Sequence, residues 1–421
     1  MLKNAPRLEL HIIQNFPPHN LNRDDSGAPK DTEFGGYRRA RISSQCLKRS
    51  IRWSDAFGSE LGGRIATRTK RSAGELASLL TTRHGRDAAA AAQAARSAIG
   101  KLISATDDNG NTSVLFYVGP DELEALADRL NDAWETIAPE IMTADADTST
   151  AEEPEKSDKK TKGKGRKAKA ADSALDDVIK PVVEAYVAAY DGTVATVDVA
   201  LFGRMLAENP TLNIDAACHV AHAISTNRVS MEFDYFTAVD DLQKDEETGA
   251  AMIGTTMFNS SCFYRYAVVD VGQLYRNLGG DGRPGTRATT LEGLRAFVKG
   301  AIAAMPTGKQ SSTAAYTQPA FVMAVVRPNG GQPVSLANAF EMPVRPSIDR
   351  SLVAASVEAI DKHWGELATM YGDASARPFV AVIESANELA MLRPSRCSSV
   401  DEMLEHSLAA VETAWTTGGA A

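Results

Sequence analysis

Leu8, Leu10 and Ile12 alternate with polar neighbours in PRLELHIIQNF, which predicts a strand over 6–16. PPHNLNRDDSGAPKD (17–31) is rich in Pro, Asn, Asp and Gly and predicts a loop. YRRARIS (37–43) has weak strand character, and a helix is predicted from about Ser44 to Trp53. On that helix Leu47 and Ile51 fall one turn apart and face a core. Gln45, Lys48, Arg49 and Arg52 fall on the opposite side, within an arc of about 100°.

Residues 60–142 are Ala-rich with helical spacing, broken by one strand-like run, SVLFYVG (113–119). Residues 143–173 hold almost no large apolar side chain and run from acidic to lysine-rich. Such a segment cannot bury enough surface to offset its chain entropy, so a disordered insert is expected there. It reads either as a solvated tether or as a nucleic-acid arm. Beyond it, LDDVIKPVVEAYVAAY predicts a helix and ATVDVALFG (195–203) a strand. Residues 204–258 read as mixed loop and helix. FYRYAVVDV (263–271) and AFVMAVVRP (320–328) predict strands, and TLEGLRAFVKGAIAAM (290–305) a helix. SIDRSLVAASVEAIDKHWGELATMYG adds one or two helices. The pattern is α+β, with a helical lobe inserted after the first strand–helix unit.

Composition narrows the function. The chain has 421 residues, a formal net charge of -9, 43% hydrophobic and 24% charged residues, which fits an ordinary soluble protein. Cys46, Cys218, Cys262 and Cys397 are widely spaced and form no CxxC pair. This argues against a zinc site or disulfide framework and suits a reducing cytoplasm. No signal peptide, membrane span or membrane partner is expected. An acidic chain has little general attraction to polyanions, so any nucleic-acid surface must be a local patch.

One such patch exists. Residues 30–52 hold seven Lys or Arg (30, 38, 39, 41, 48, 49 and 52) against Asp31 and Glu33. Lys48 and Arg49 read as lying near the positive end of the helix, where cations are unfavourable unless an anion is close. Free N–H groups, serine hydroxyls and cations at a helix start form a phosphate site. The competing reading is a solvated helix face paired with acids elsewhere. Ser44 reads as the N-cap.

LNRDDSGAPKDTEFGGYRRARISSQCLKRSIR (21–52) resembles a signature of the CasC family, the crRNA-binding backbone subunits of the type I-E CRISPR effector complex Cascade. VDVALFGRM (197–205), AHAISTNRV (221–229), DYFTAVDDL (234–242), FYRYAVVDVGQLYRNLGG (263–280) and VSLANAFE (334–341) resemble further family blocks, in order. The resemblance implies an RRM-like, ferredoxin-type palm (1–58, 194–203 and 259–421). It also implies inserted helical fingers (59–193) and an extended thumb (204–258). It implies several copies along a guide RNA, each gripping its backbone and kinking it at intervals so that the guide pairs with target DNA. The implied partners are crRNA, the target strand, further copies, and the large, small, 5′-handle-binding and 3′-hairpin-binding subunits, with a recruited helicase-nuclease acting indirectly. Carried over by position, the match assigns Arg23, Lys30, Ser43, Gln45, Lys48, Arg49 and Arg52 to the RNA backbone. It makes Met205 an apolar wedge at a kink and gives Tyr235, Phe236 and Thr237 to the displaced nucleotide. Tyr235 stands where the family usually has Trp, and 306–319 is less basic than in its relatives.

The rival class is a metal-dependent ribonuclease using Asp24 and Asp25, as related type III backbones use a loop aspartate. The same NRDD stretch also reads as a turn. A general RNA scaffold outside CRISPR is a third reading. His219 and His222 read as one helical turn apart, without an evident third ligand. There is no Walker A loop or Rossmann fingerprint, and GGDGRPG (279–285) reads as a turn. No cofactor or resident metal is expected.

Overall fold

The computed structural model describes residues 5–104, 106–107, 109–149, 164–238, 241–242, 252–372 and 375–418. In chain order the elements are β1 (Arg7–His19), β2 (Asp31–Phe34), β3 (Tyr37–Ile42), α1 (Ser44–Arg52), α2 (Asp55–Leu61), β4 (Thr67–Thr69), α3 (Ser72–His84), α4 (Ala88–Leu102), β5 (Phe116–Val118), α5 (Pro120–Asp132), α6 (Trp134–Ser149), α7 (Lys164–Ala188) and α8 (Val197–Phe202). There follow β6 (Cys218–Val220), β7 (Ala223–Ser225), β8 (Glu232–Ala238), β9 (Met252–Asp270), α9 (Val271–Asn277), α10 (Thr286–Ala303), α11 (Gln310–Thr313), β10 (Phe321–Arg327), α12 (Leu352–Tyr371), β11 (Arg377–Val382) and α13 (Val400–Gly418). The chain forms two compact units. One comprises residues up to Gly63, Ala217–Tyr275 and the chain from Gly285; the other comprises Arg64–Ala216 and Arg276–Pro284.

The first unit is built on an antiparallel sheet in the order β11-β10-β1-β9-β7-β3-β2, with β6 and β8 also pairing β9. The alternation in β1 serves two buried faces. Leu8, Leu10 and Ile12 are buried, and so are Glu9 and His11 between them. Those polar groups are satisfied in place. Glu9 pairs with Arg327, and His11 lies 3.2 Å from Glu9 and 2.8 Å from the Tyr264 hydroxyl. Burial lowers the His11 pKa and outweighs the Glu9 carboxylate, which raises it. Ile13, Tyr264, Phe321, Met323, Phe340, Val357 and Ile360 form one core of the sheet. Phe16, Ile42, Leu47, Ala223 and Phe263 form another.

Gly35 and Gly36, at φ 60° and 76°, make the two-residue turn between β2 and β3. A side chain at Gly35 would meet the Glu341 carbonyl oxygen at 2.0 Å, so this turn admits only glycine.

The second unit is mostly helical. Ala91, Ala94, Ala95 and Ala98 of α4 are fully buried against Leu76, Leu80, Leu126 and Ile179, small side chains letting the helices approach. The strand-like run at 113–119 forms β5, paired with β4.

Three expectations are corrected here. ATVDVALFG is not a strand, because Val197–Phe202 is helical. Its residues Val197 to Leu201 are all buried, and a short run buried on every side carries no period that separates strand from helix. Residues 204–258 contain no long helix among those described; β6, β7, β8 and the outer half of β9 fill them instead. The disordered stretch expected at 143–173 is helical at both flanks. Residues 143–149 close α6 and 164–173 open α7, while 150–163 lie outside the described residues.

Candidate nucleic-acid interface

Helix α1 is capped by Ser43, not by Ser44. The Ser43 hydroxyl accepts from the Cys46 N–H at 3.3 Å, and Ser43 itself is buried. Leu47 and Ile51 are buried as their spacing requires, contributing about 1.5–3 kcal/mol each. Gly300 of α10 permits this packing, since a Cβ there would lie 3.2 Å from the Ile51 side chain and 3.1 Å from Phe57. On the outer face Gln45 and Arg49 are exposed, and Lys48 and Arg52 are half-buried. Arg49 and Arg52 occupy the last turn, where the helix dipole favours cations. Their placement therefore needs no bound anion to explain it, contrary to the expectation that the cations crowd the helix start.

The loop before the patch is tied to α1. Asn22 accepts from the Ser43 N–H at 2.8 Å, and the Lys30 N–H donates to the Asn22 carbonyl at 2.9 Å. Arg23 projects from this loop and is exposed. Lys30 lies close enough to Cys46 and His222 for its charge to lower both pKa values. At Cys46 burial dominates and holds the thiol above its ordinary range. At His222 burial, then Arg41, then Lys30 push the imidazole down. The Arg41 guanidinium donates to His222 Nδ1 at 3.2 Å, which fixes the neutral ring with its proton on Nε2. Arg41 and His222 thus extend the patch. Sequence reasoning counted Arg41 without using it and placed His222 on a helix with His219. His219 lies in strand β6, paired with Val268, and His222 follows in the bend before β7. Their separation of three residues has no helical meaning there.

Some cations in the stretch are engaged within the fold. Arg38 pairs with Asp31. Arg39 is fully buried and donates to the carbonyls of Ser225 (2.9 Å), Thr226 (3.2 Å), Phe340 (2.7 Å) and Glu341 (3.0 Å). Its role is to fasten β3 to two distant segments.

Asp24 Oδ1 accepts from the Ser26 N–H (2.9 Å), the Ser26 hydroxyl (2.7 Å) and the Ala28 N–H (3.0 Å). These bonds, the Ser26 hydroxyl first, hold the Asp24 pKa below the usual carboxylate range. The loop forms a turn around Asp24. Asp25 is exposed, and both acids border a concavity of about 470 Å³ with Arg23, Gly27 and Gly308. Among the described residues no three His, Cys, Asp or Glu side chains converge as metal ligands do.

Strand β8 and the outer half of β9 form a ribbon whose β8 strand is wholly exposed. The register pairs Phe233 with Met257, Tyr235 with Thr255 and Thr237 with Ile253. Paired residues share a face, so this face is free of formal charge. The other face holds Glu232, Asp234, Phe236 and Ala238. There the Phe236 ring lies over Gly254, where a Cβ would sit 2.4 Å from the ring. Tyr235 and Thr237 are brought together, and Phe236 is turned away from them.

In the second unit Met205 is 84% exposed. It follows Arg204, which is buried and bound to both oxygens of Glu122 at 2.8 and 2.9 Å. Gly203 at φ 78° makes the preceding bend, with Ala216 N and Ile214 O within 2.9 Å of any Cβ.

The structure therefore gathers Lys30, Gln45, Lys48, Arg49 and Arg52 around one helix, with Arg23 on the adjoining loop and Ser43 spent on capping. Comparison with solved structures finds a chain described as "CRISPR RNA-guided surveillance complex, pre-nicking". It is 32% identical, with 96% of this chain and 100% of that chain covered, at a TM-score of 0.71. A second, described as "CRISPR RNA-guided surveillance complex", is 26% identical over 96% of this chain and 99% of that one, at a TM-score of 0.64. No curated protein matches the chain. The model of the CT1975-like protein family matches residues 8–406, from the first core strand into the last helix. With so much of both units inside that match, the chain belongs to the CT1975-like protein family.

Proposed function

We propose that this protein is a backbone subunit of a Cascade surveillance complex of type I-E, laid in several copies along a guide RNA. The observation that carries the proposal is the two-sided α1, packed through Leu47 and Ile51 and presenting Gln45, Lys48, Arg49 and Arg52 outward beside Lys30. Membership of the family and the likeness to chains of RNA-guided surveillance complexes support it. In this reading the antiparallel sheet is an RRM-like palm, the helical unit is the fingers and the β8–β9 ribbon is the thumb. Contacts go to phosphate and ribose, because the guide sequence varies while the protein does not. Exposed Met205 serves as the wedge that unstacks bases, and Tyr235 and Thr237 meet the displaced nucleotide. The partners are crRNA, the target DNA strand, further copies of the chain and the other Cascade subunits. A separate helicase-nuclease carries out cleavage.

The chain itself is non-catalytic in this proposal. The engagement of Asp24 by its own turn supports that against a ribonuclease using Asp24 and Asp25. The test is labelled single-stranded RNA incubated with the protein and Mg²⁺, run on native and denaturing gels. A ladder of shifted species with intact RNA is expected. If five cations meet phosphates, log affinity falls against log salt with a slope of about -3.5 per subunit. Cleavage abolished by EDTA and by Asp24→Ala or Asp25→Ala would make the nuclease reading correct.

A further inference from the structure

Trp53 closes α1 and is 68% exposed, a large aromatic side chain that its own fold does not cover. Its backbone is fixed. The Trp53 N–H donates to the Arg49 carbonyl at 3.0 Å, and the next residue, Ser54, caps α2 through its hydroxyl. The Arg49 guanidinium carbon lies 5.7 Å from the ring centroid and that of Arg52 lies 5.8 Å away. The indole is therefore held at the end of the cationic face by the same two side chains proposed to meet phosphates. A cation beside an aromatic face is favourable and restrains the ring. No acidic residue interrupts the helix from Ser44 to Trp53.

We infer that Trp53 is a stacking contact for single-stranded RNA, taking the face of one base while Arg49 and Arg52 hold the flanking phosphates. The inference rests on the RNA-binding reading above. Stacking on an aromatic platform is indifferent to base identity, as a guide-carrying surface requires. A protein partner is the lesser fit, because it would have to bring carboxylates to both guanidiniums beside an apolar cover for the indole, whereas one nucleotide unit supplies a ring face and phosphates together.

The test uses the full chain and a single-stranded oligouridylate. The other tryptophans are more enclosed: Trp134 is 8% exposed, Trp364 packs against the sheet core and Trp415 packs edge-on against Tyr275. RNA is expected to quench wild-type tryptophan emission, and Trp53→Phe is expected to lose most of that quenching while retaining binding. Trp53→Ala is expected to weaken binding about tenfold with an unchanged salt slope, since stacking releases no counterions. Its melting temperature should stay at the wild-type value, the side chain being exposed. RNA binding with unchanged affinity in Trp53→Ala, or with undiminished quenching in Trp53→Phe, would overturn the inference and leave the RNA-binding reading intact. So would a Trp53→Ala variant that loses self-association without RNA but keeps its RNA affinity, which would make Trp53 a contact between copies. A lower salt slope in Trp53→Ala would also overturn stacking, showing that the ring only positions the arginines. Failure of the wild-type chain to bind RNA at all would defeat both readings.

Discussion

Arg204 donates to both carboxylate oxygens of Glu122 at 2.8 and 2.9 Å inside the helical unit, and the very next residue, Met205, stands in solvent. Arg204 also donates to the carbonyls of Leu212 (2.9 Å) and Tyr117 (3.0 Å), so every direction of its guanidinium is anchored. Burial raises the Glu122 pKa and Arg204 pulls it back, the usual tension of an ion pair out of water. The pair holds rigid the backbone from which an apolar side chain projects.

Breaking the pair from one side should be costly. Glu122→Ala leaves a buried guanidinium without its counter-charge and also removes the acceptor for the Gly119 N–H. A loss of about 3–5 kcal/mol is expected in urea unfolding of the full chain. Met205→Ala should leave stability unchanged, because that side chain packs on nothing that folding buries. Equal stability of Glu122→Ala and wild type would mean that the pair is not the anchor.

Arg39 and Lys48 separate structural cations from candidate binding cations. Arg39→Met strands the carbonyls of Ser225, Thr226, Phe340 and Glu341, and is expected to cost about 2–4 kcal/mol. Lys48→Ala combined with Arg52→Ala should change stability by only about 0.5 kcal/mol for each substitution. The double variant should weaken RNA binding whatever the guide sequence. Thermal melts and filter binding on the two proteins check both halves, and a normally assembled complex carrying the double variant would contradict the second.

His19 gives a pH signature. It is 3% exposed, between Phe16 and Phe263, and neither ring nitrogen finds a hydrogen-bond partner. Burial lowers its pKa to about 4. The folded protein keeps the ring neutral, while the unfolded chain takes up a proton below about 6.5. Stability is therefore full above pH 6.5 and declines as pH falls from 6.5 towards 4, by about 3 kcal/mol from this group. His11, also lowered by burial, adds to the same acid-side loss. As pH falls across this window the unfolding free energy of wild type should drop relative to that of His19→Phe, which lacks the titrating group. Parallel curves would show that His19 is not buried neutral.

The sequence was legible where a pattern had a consequence of its own. The Leu47–Ile51 spacing gave α1 its core face, and the alternation of β1 gave the central strand. It was silent where tertiary packing decided. The run 197–201 is buried all round and so carries no period, and Ser43, the cap in place of Ser44, is tied to a distant loop by Asn22 accepting from its N–H. Arg39 looks in sequence like its neighbours Arg38 and Arg41, and only the four carbonyls that converge on it make it a core residue. The ribbon was missed because β8 is exposed throughout and pairs with a partner strand beginning 14 residues beyond its end.

That ribbon supplies the last test. Tyr235 and Thr237 share a face with Ile253 and Thr255, while Phe236 lies over Gly254 beside Asp234 and Glu232. Phosphates are repelled by the acidic face, so under the proposed function a nucleotide meeting this ribbon would lie against Tyr235. Tyr235→Ala should cost about 1–3 kcal/mol of RNA affinity, the usual worth of one stacked base, with ribbon stability retained. Phe236→Ala should act differently, exposing the Gly254 backbone and speeding amide exchange of the β8–β9 pair. In a double-mutant cycle on RNA affinity, Tyr235 should couple to Thr237 more strongly than to Phe236, because only the first pair can touch the same nucleotide. Equal coupling would mean that a base wraps the ribbon edge and meets both faces, and the assignment of one face to RNA would fall.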